Sequence, residues 1–149
     1  MRLSTKGRYG TRLMLELALS YDKRTVFLSE IGKAQGISVK YLEQLVRPLK
    51  IAGLIQSVRG AHGGYRLSRP PEHITLKEII TALEGRVKVV ECISSSGQCQ
   101  RISTCATKEI WDELSDRIAD FFSKITLKDM VERYYKKNNT DRRVLMYNI

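Results

Sequence analysis

The sequence predicts a mostly α protein: a winged helix-turn-helix domain with a small β-hairpin wing, followed by a long C-terminal dimerisation helix. Three observations lead to this prediction. Apolar residues recur at helical spacing, two such segments meet at Gly36, and a glycine-rich segment with strand-like flanks follows them. We expect a winged DNA-binding domain at 1–84, a cysteine-bearing loop at 85–106, and the dimerisation helix with its tail at 107–149.

The first two helices are predicted from apolar spacing. The first lies between Lys6 and Tyr21, where apolar residues recur three and four positions apart. The second is short, follows a turn-like segment at 22–25, and stops at Gly36, a residue suited to a left-handed helix cap.

The third helix begins after Ser38, which is a ready N-cap. Because Gly36 and Ile37 join it to the second helix, the pair predicts a helix-turn-helix. Pro48 lacks the amide proton of a helical hydrogen bond, so we expect a bend or an early end there. The buried stripe of this helix is predicted to comprise Leu42, Leu45, Val46 and Leu49.

The opposite face of the third helix carries side chains of the types that read DNA. Gln pairs with adenine, Lys or Arg with guanine, and Glu accepts from the cytosine amine, while a helix N-terminus with a Ser holds a phosphate. A solvated polar face is the alternative for any single helix. The face comprises Val39, Lys40, Glu43, Gln44 and Arg47, with Tyr41 near the start of the helix.

The segment from Ile55 to Leu67 predicts a β-hairpin with a glycine-rich tip. Directly after a helix-turn-helix it would be a wing, with Arg59 at the base of the tip and small residues that permit close approach to DNA. A phosphate-binding loop is the weaker alternative, because GAHGG lacks the Lys-Ser/Thr ending and is not followed at once by a helix.

The second half of the chain predicts three more helices. A capping-box sequence at Thr75–Glu78 opens one that ends at Gly85, and another cap at Thr126–Asp129 opens a last, short helix before a tail that docks on a neighbour or is partly disordered. Between them an apolar, aromatic stripe predicts a helix of roughly eighteen residues, ~27 Å long. Because the stripe is wide, we expect this helix to pack against the same helix of a second copy, with packing on its own chain as the alternative.

Three cysteines, Cys92, Cys99 and Cys105, lie in a loop rich in Ser, Gly and Gln, where residues do not fill a core. The spacing C-x6-C-x5-C lacks the C-x2-C knuckle typical of structural zinc. Three thiolates on such a loop suit an iron–sulfur cluster completed by a non-cysteine ligand. Metal-free thiol chemistry and zinc remain the alternatives.

Composition narrows the class of function. Residues 1–70 hold 13 Lys/Arg against 4 Asp/Glu, a net +9 of the chain's +10, so the positive field belongs to the winged half and is typical of proteins that bind a phosphate backbone. No apolar run reaches the length of a membrane span. The opening MRLSTKGRYG lacks a secretory h-region, so we expect a cytoplasmic protein. With two His and no paired nucleophile and base, an enzyme is not expected.

The sequence resembles the IscR/NsrR/CymR group of bacterial Rrf-type winged-helix regulators over nearly its whole length. The motifs are MRLSTKGRYG, KYLEQLVRPLKIAGLI, SVRGAHGGYRL, ITLKEIITALEG, and three cysteines followed by a long helix. The resemblance implies a homodimer on a double-stranded DNA operator, with an iron–sulfur cluster that changes DNA affinity or site choice. It implies cluster ligands at Cys92, Cys99 and Cys105 and DNA contacts at Ser38, Lys40, Tyr41, Glu43, Gln44 and Arg59.

The chain departs from the family at the fourth ligand. IscR-type members have a His three residues after the last Cys, where this chain has Lys108, and related nitric-oxide sensors use an acidic residue where it has Arg8. The sequence therefore does not identify the fourth ligand. We expect a 2Fe–2S cluster rather than a 4Fe–4S cluster. The ending VLMYNI resembles CymR-type repressors of cysteine metabolism, so the alternatives are a CymR-like repressor and a nitric oxide or redox-responsive regulator.

Overall fold

The computed structural model describes residues 3–93, 99 and 101–147. In this part of the chain six α-helices accompany one two-stranded antiparallel sheet, which confirms the predicted fold class. Predictions for residues 94–98 and 100 of the cysteine loop, and for the ends of the chain at 1–2 and 148–149, lie outside the described residues. In chain order the elements are α1 (Thr5–Leu19), α2 (Leu28–Gln35), α3 (Val39–Ile51), β1 (Ile55–Val58), β2 (Gly64–Leu67), α4 (Leu76–Glu84), α5 (Ala106–Ser123) and α6 (Leu127–Tyr147).

One core joins α1, α2, α3, the sheet and α4. The four residues of the predicted stripe on α3 are all buried, and Leu42 and Leu49 expose none of their surface. Burying each such side chain contributes about 1.5–3 kcal/mol. This core fixes the α3 side chains that face the other way, toward solvent. The other fully buried large side chains are Leu13, Met14, Leu17, Ile31, Leu45, Leu54, Ile74, Ile79, Ile80 and Leu127.

The turn between α2 and α3 forms as predicted. Gly36 has φ 65° and ψ 36°, the left-handed region that glycine adopts at low cost. Ile37 is buried behind it, and the Ser38 side chain then caps α3 by accepting the Tyr41 N–H at 3.2 Å. The turn and the cap together set the angle at which α3 leaves the core.

Of the two outcomes predicted at Pro48, a bend or an early end, the early end is wrong, because the helix continues to Ile51. Proline removes one donor, but the fully buried Leu49 holds the following turn in the core. The Pro48 carbonyl still accepts the Ala52 N–H at 3.0 Å. One lost hydrogen bond is outweighed here by burial.

The hairpin has a single register, with Ile55 opposite Leu67 and Val58 opposite Gly64. Ile55 and Leu67 are both buried and anchor its base in the core. Outside the hairpin, Val26 of the α1–α2 loop pairs with Tyr65 as an antiparallel bridge. The wing is therefore backed by a third extended segment.

The predicted capping box of α4 is present. The Thr75 hydroxyl accepts the Glu78 N–H at 3.3 Å, while the Glu78 carboxylate accepts the Thr75 N–H at 2.8 Å. The helix ends at Glu84, and Gly85 is its C-cap, as predicted.

The C-terminal helices differ in how well they follow the prediction. α5 has 18 residues, as expected, but α6 has 21 and is not short. Its start is pinned beside α4, because the Leu76 N–H donates to the Ile125 carbonyl and the Leu127 N–H to that of Ile74. No Gly or Pro interrupts 127–147, so the nucleated helix propagates through the predicted tail. In the described residues no helix has the length and apolarity that crossing a membrane requires.

Candidate DNA-binding surface and cysteine loop

The polar face of α3 is open to solvent. Lys40, Glu43, Gln44 and Arg47 are exposed, and Val39 exposes 41% of its surface. Ser38 stands at the N-terminal end of the same helix, where its backbone and the helix dipole attract anions. The structure thus presents one continuous face of hydrogen-bonding groups on a rigid helix.

Tyr41 makes structural contacts that the sequence does not reveal. Its ring packs edge-on against Tyr9 of α1 at 6.0 Å between centroids, and its hydroxyl lies 3.2 Å from the Thr5 hydroxyl. It is half-buried against the core. Tyr41 therefore ties the start of α3 to the start of α1 as well as lying beside the exposed face.

Two arginines gather around this contact. The guanidinium carbons of Arg8 and Arg12 lie 5.8 and 5.5 Å from the centroid of the Tyr9 ring, which is cation–π range. Arg12 also donates to the side chain of Gln35 at 2.6 Å, at the end of α2. Part of the positive charge of the winged half is thereby held next to the start of α3.

Glu84 stabilises the start of α1 from across the domain. Its carboxylate accepts the Ser4 hydroxyl at 2.7 Å and the Gly7 N–H at 2.9 Å. A carboxylate at a helix N-terminus is favoured by the helix dipole. A Cβ at Gly7 would lie 2.2 Å from that carboxylate oxygen, so glycine permits the approach. Glu84 is the last residue of α4, directly before the cysteine loop.

Arg59 directly follows β1, at the base of the tip of the wing as predicted, and it is exposed, as are Gly60, Ala61 and His62. The tip closes on itself through the Gly63 N–H, which donates to the Gly60 carbonyl at 2.9 Å. Gly60 has φ 105°, a conformation that other residues rarely adopt. The glycines of this motif therefore shape the tip and place Arg59 away from the core.

All three cysteines are free thiols. Cys92, in a short turn at Glu91–Ile93, is exposed, whereas Cys99 and Cys105 are partly exposed. The described residues contain no group of three or more Cys, His, Asp or Glu side chains positioned to hold a metal ion. As far as the described residues extend, the sulfur donors are accessible but are not gathered into one site.

Cys105 occupies the N-cap position of α5. A hydrogen bond with the Thr107 hydroxyl, 3.2 Å away, lowers the pKa of the Cys105 thiol, and the Lys108 backbone N–H lowers that pKa further. Both donors favour the thiolate, which is the form that binds metals. The ammonium of Lys108 pairs with Asp112 at 3.6 Å. The donor set thus fits an iron–sulfur group, and Lys108 is engaged elsewhere.

Within the described residues, α5 is only partly covered by its own chain. Its one buried residue is Ser115, whose hydroxyl accepts the Val89 N–H at 3.2 Å. In contrast, Ile110 and Phe121 each expose 59% of their surface, and Leu114 exposes 42%. These three residues fall on one helix face, so an apolar strip remains open to solvent.

Comparison with known proteins identifies the family. The family model Rrf2, described as an iron-dependent transcriptional regulator, matches residues 3–133. The transcriptional regulator IscR of Vibrio cholerae is 43% identical over 131 residues, which cover 88% of this chain and 75% of that protein. These relatives are regulators and not enzymes, as the sequence predicts.

Solved structures agree with this assignment. CymR, the global cysteine regulator of B. subtilis, matches with a TM-score of 0.75 and 38% identity over 89% of this chain and 98% of that one. T. potens IscR matches with a TM-score of 0.74 and 38% identity over 90% and 88%. Since the family model covers most of the chain and both structures share its winged fold, the protein belongs to the Rrf2 family of DNA-binding transcription regulators.

Proposed function

We propose that the protein is a cytoplasmic, homodimeric regulator that senses iron–sulfur cluster status and controls genes of cluster biogenesis. The observation that carries this proposal is the set of three free, accessible thiols in a chain similar to IscR. The proposed division has the DNA-binding domain at 1–84, the cluster loop at 85–106 and the dimerisation region at 107–149. The proposed cluster ligands are Cys92, Cys99 and Cys105.

The proposed DNA interface joins the exposed face of α3 to the wing. In this arrangement α3 would be the recognition helix and would enter the major groove, and Arg59 would enter an adjacent minor groove. The net +9 of residues 1–70 supports DNA binding by this half of the chain, because phosphate contacts supply much of the affinity of such proteins. The proposed contacts are Ser38, Lys40, Tyr41, Glu43, Gln44 and Arg59.

Replacing Arg59 with Ala should weaken specific operator binding by about 1–3 kcal/mol while leaving the melting temperature unchanged, because the exposed tip contributes little to the core. The matched control is Lys137→Ala, which removes one positive charge from an exposed position on α6. Fluorescence anisotropy and thermal melts measure both effects. A melting temperature that collapsed with binding would make Arg59 structural.

The donor chemistry of the loop supports the cluster. Thiolates are the usual ligands of iron–sulfur groups. The pKa of the Cys105 thiol is lowered, which favours its thiolate form. Since the thiols are not gathered in the described residues, we propose that ligand assembly accompanies cluster binding, as metal binding often couples to folding. The cluster, when bound, supplies an oxygen- and redox-sensitive group.

Anaerobic purification followed by iron and acid-labile sulfide analysis tests this proposal. We expect brown protein with equal iron and sulfide, two of each per chain for a 2Fe–2S cluster. Replacing Lys108 with His should give a cluster at least as stable as the parent's, since neutral imidazole binds iron. Colourless, iron-free protein that binds its operator fully would contradict the proposal.

That colourless outcome would favour a second candidate, a CymR-like repressor of genes of cysteine metabolism. The fold match to CymR covers nearly all of that chain. Such a protein would depend on a partner enzyme and not on a metal. Binding of an iron-free protein to its operator, altered by such a partner alone, would separate the two candidates.

The open strip on α5 supports the proposed homodimer, because a second copy of the same helix would cover it. Phe121→Asp should shift the sedimentation coefficient toward that of a monomer, since burying an unpaired carboxylate in the interface is costly. Glu109→Gln is the control, because Glu109 is not part of the apolar strip. A wild-type protein that sediments as a monomer at micromolar concentration would exclude the dimer.

A further inference from the structure

The tip of the wing is fastened to another part of the domain by a single side chain. Thr25 lies in the loop between α1 and α2, 37 and 38 residues before the groups it contacts. Its hydroxyl lies 2.8 Å from the His62 carbonyl oxygen and 2.7 Å from that of Gly63. A hydroxyl has one proton, so it donates to both oxygens as a shared hydrogen bond.

The backbone next to Thr25 continues this attachment. The Val26 N–H donates to the Tyr65 carbonyl at 2.9 Å, and the Tyr65 N–H returns a bond of 2.8 Å. Gly64 allows the approach, since a Cβ there would lie 2.7 Å from the Val26 carbonyl oxygen. Backbone hydrogen bonds thus connect this loop to β2 at Tyr65. The tip itself is connected to the loop by the Thr25 hydroxyl, through the carbonyls of His62 and Gly63.

The residues beyond that attachment face solvent. Arg59, Gly60, Ala61 and His62 are exposed, so core packing does not fix their position. Flexible groups must be ordered when they bind, which lowers affinity, and groups already held in place avoid that cost. The attachment at Thr25 therefore bears on DNA affinity more than on the stability of the fold.

We propose that Thr25 is a positioning residue for DNA binding, whose hydroxyl holds the tip of the wing so that Arg59 enters the groove preordered. This inference rests on the proposed role of the wing. Thr25 lies outside the tip, in the loop that precedes α2. Its effect on DNA binding is therefore expected to depend on the position of the tip.

The test compares variants that differ in the hydroxyl. Thr25→Val keeps the shape and removes the donor, and Thr25→Ser keeps the donor. The full-length proteins, prepared identically, are titrated into a duplex that the wild type selects from a random-sequence pool. We expect Thr25→Val to bind about three- to tenfold more weakly with an unchanged melting temperature, and Thr25→Ser to bind as the wild type does. If Thr25→Val fails to fold, Thr25→Ala replaces it as the variant without a hydroxyl.

A double-mutant cycle with Arg59→Ala measures whether Thr25 affects DNA binding through the tip or through a general effect on the structure. If Thr25 acts through the tip, Thr25→Val should add little to the loss already caused by Arg59→Ala. Equal losses in both backgrounds, or full affinity of Thr25→Val beside weakened Arg59→Ala, would overturn the inference and leave the proposed wing contact intact. Full affinity of Arg59→Ala would overturn the wing contact itself, and the inference with it.

Discussion

Alanine at Cys92, Cys99 or Cys105 is expected to abolish the visible absorption of anaerobically purified protein. Three protein thiolates are the scaffold of the proposed cluster, so the loss of one leaves an iron without its ligand. Iron and sulfide should fall to background in each single variant. The dimer should persist, because its proposed interface lies on α5 and not in the cysteine loop.

Lys108→Ala is the matched control for the cysteine variants. Lys108 follows Cys105 by three residues but pairs with Asp112, so we expect its loss to leave the cluster in place. Each cysteine variant should still bind some DNA, with an affinity or site preference that differs from that of the loaded protein. Complete loss of the cluster in Lys108→Ala would contradict the view that this lysine is not the fourth ligand.

Operator affinity is expected to fall steeply with salt. The positive charge of the winged half predicts phosphate contacts, and each neutralised phosphate contributes about −0.9 to the slope of log affinity against log salt. With ~6–10 such contacts in the dimer complex, affinity should drop about 10³–10⁵-fold between 50 and 200 mM salt. Titrations at four salt concentrations measure the slope. An affinity unchanged across this range would refute the argument from charge.

The elements that the sequence predicts correctly depend on local signals. Gly36 must adopt a left-handed conformation, Ser38 caps the helix that it precedes, and Thr75 and Glu78 satisfy each other within one turn. Each depends on residues at most four positions apart, so its outcome is visible in a short stretch of sequence.

The features that the sequence does not predict depend on distant contacts. Glu84 caps α1 from 77 residues away, and the Thr25 hydroxyl reaches the wing across 37. The predicted stripe of α3 already includes Leu49, but the sequence does not show that burial of Leu49 in the tertiary core outweighs the hydrogen bond lost at Pro48. Short-range patterns carry no information on such pairs. The contact between Tyr41 and Tyr9 is not predicted for the same reason, because the two residues lie far apart in the sequence.

The most direct test of cluster sensing compares the operator affinity of the loaded protein with that of the same preparation after anaerobic removal of iron. Both titrations use one salt concentration and duplexes selected separately by each form. If the cluster is coupled to DNA binding, affinity for at least one duplex should change about 5- to 150-fold, and a cysteine-to-alanine variant should match the stripped form. Identical affinities of both forms for every selected duplex would contradict the proposal that the cluster regulates DNA binding.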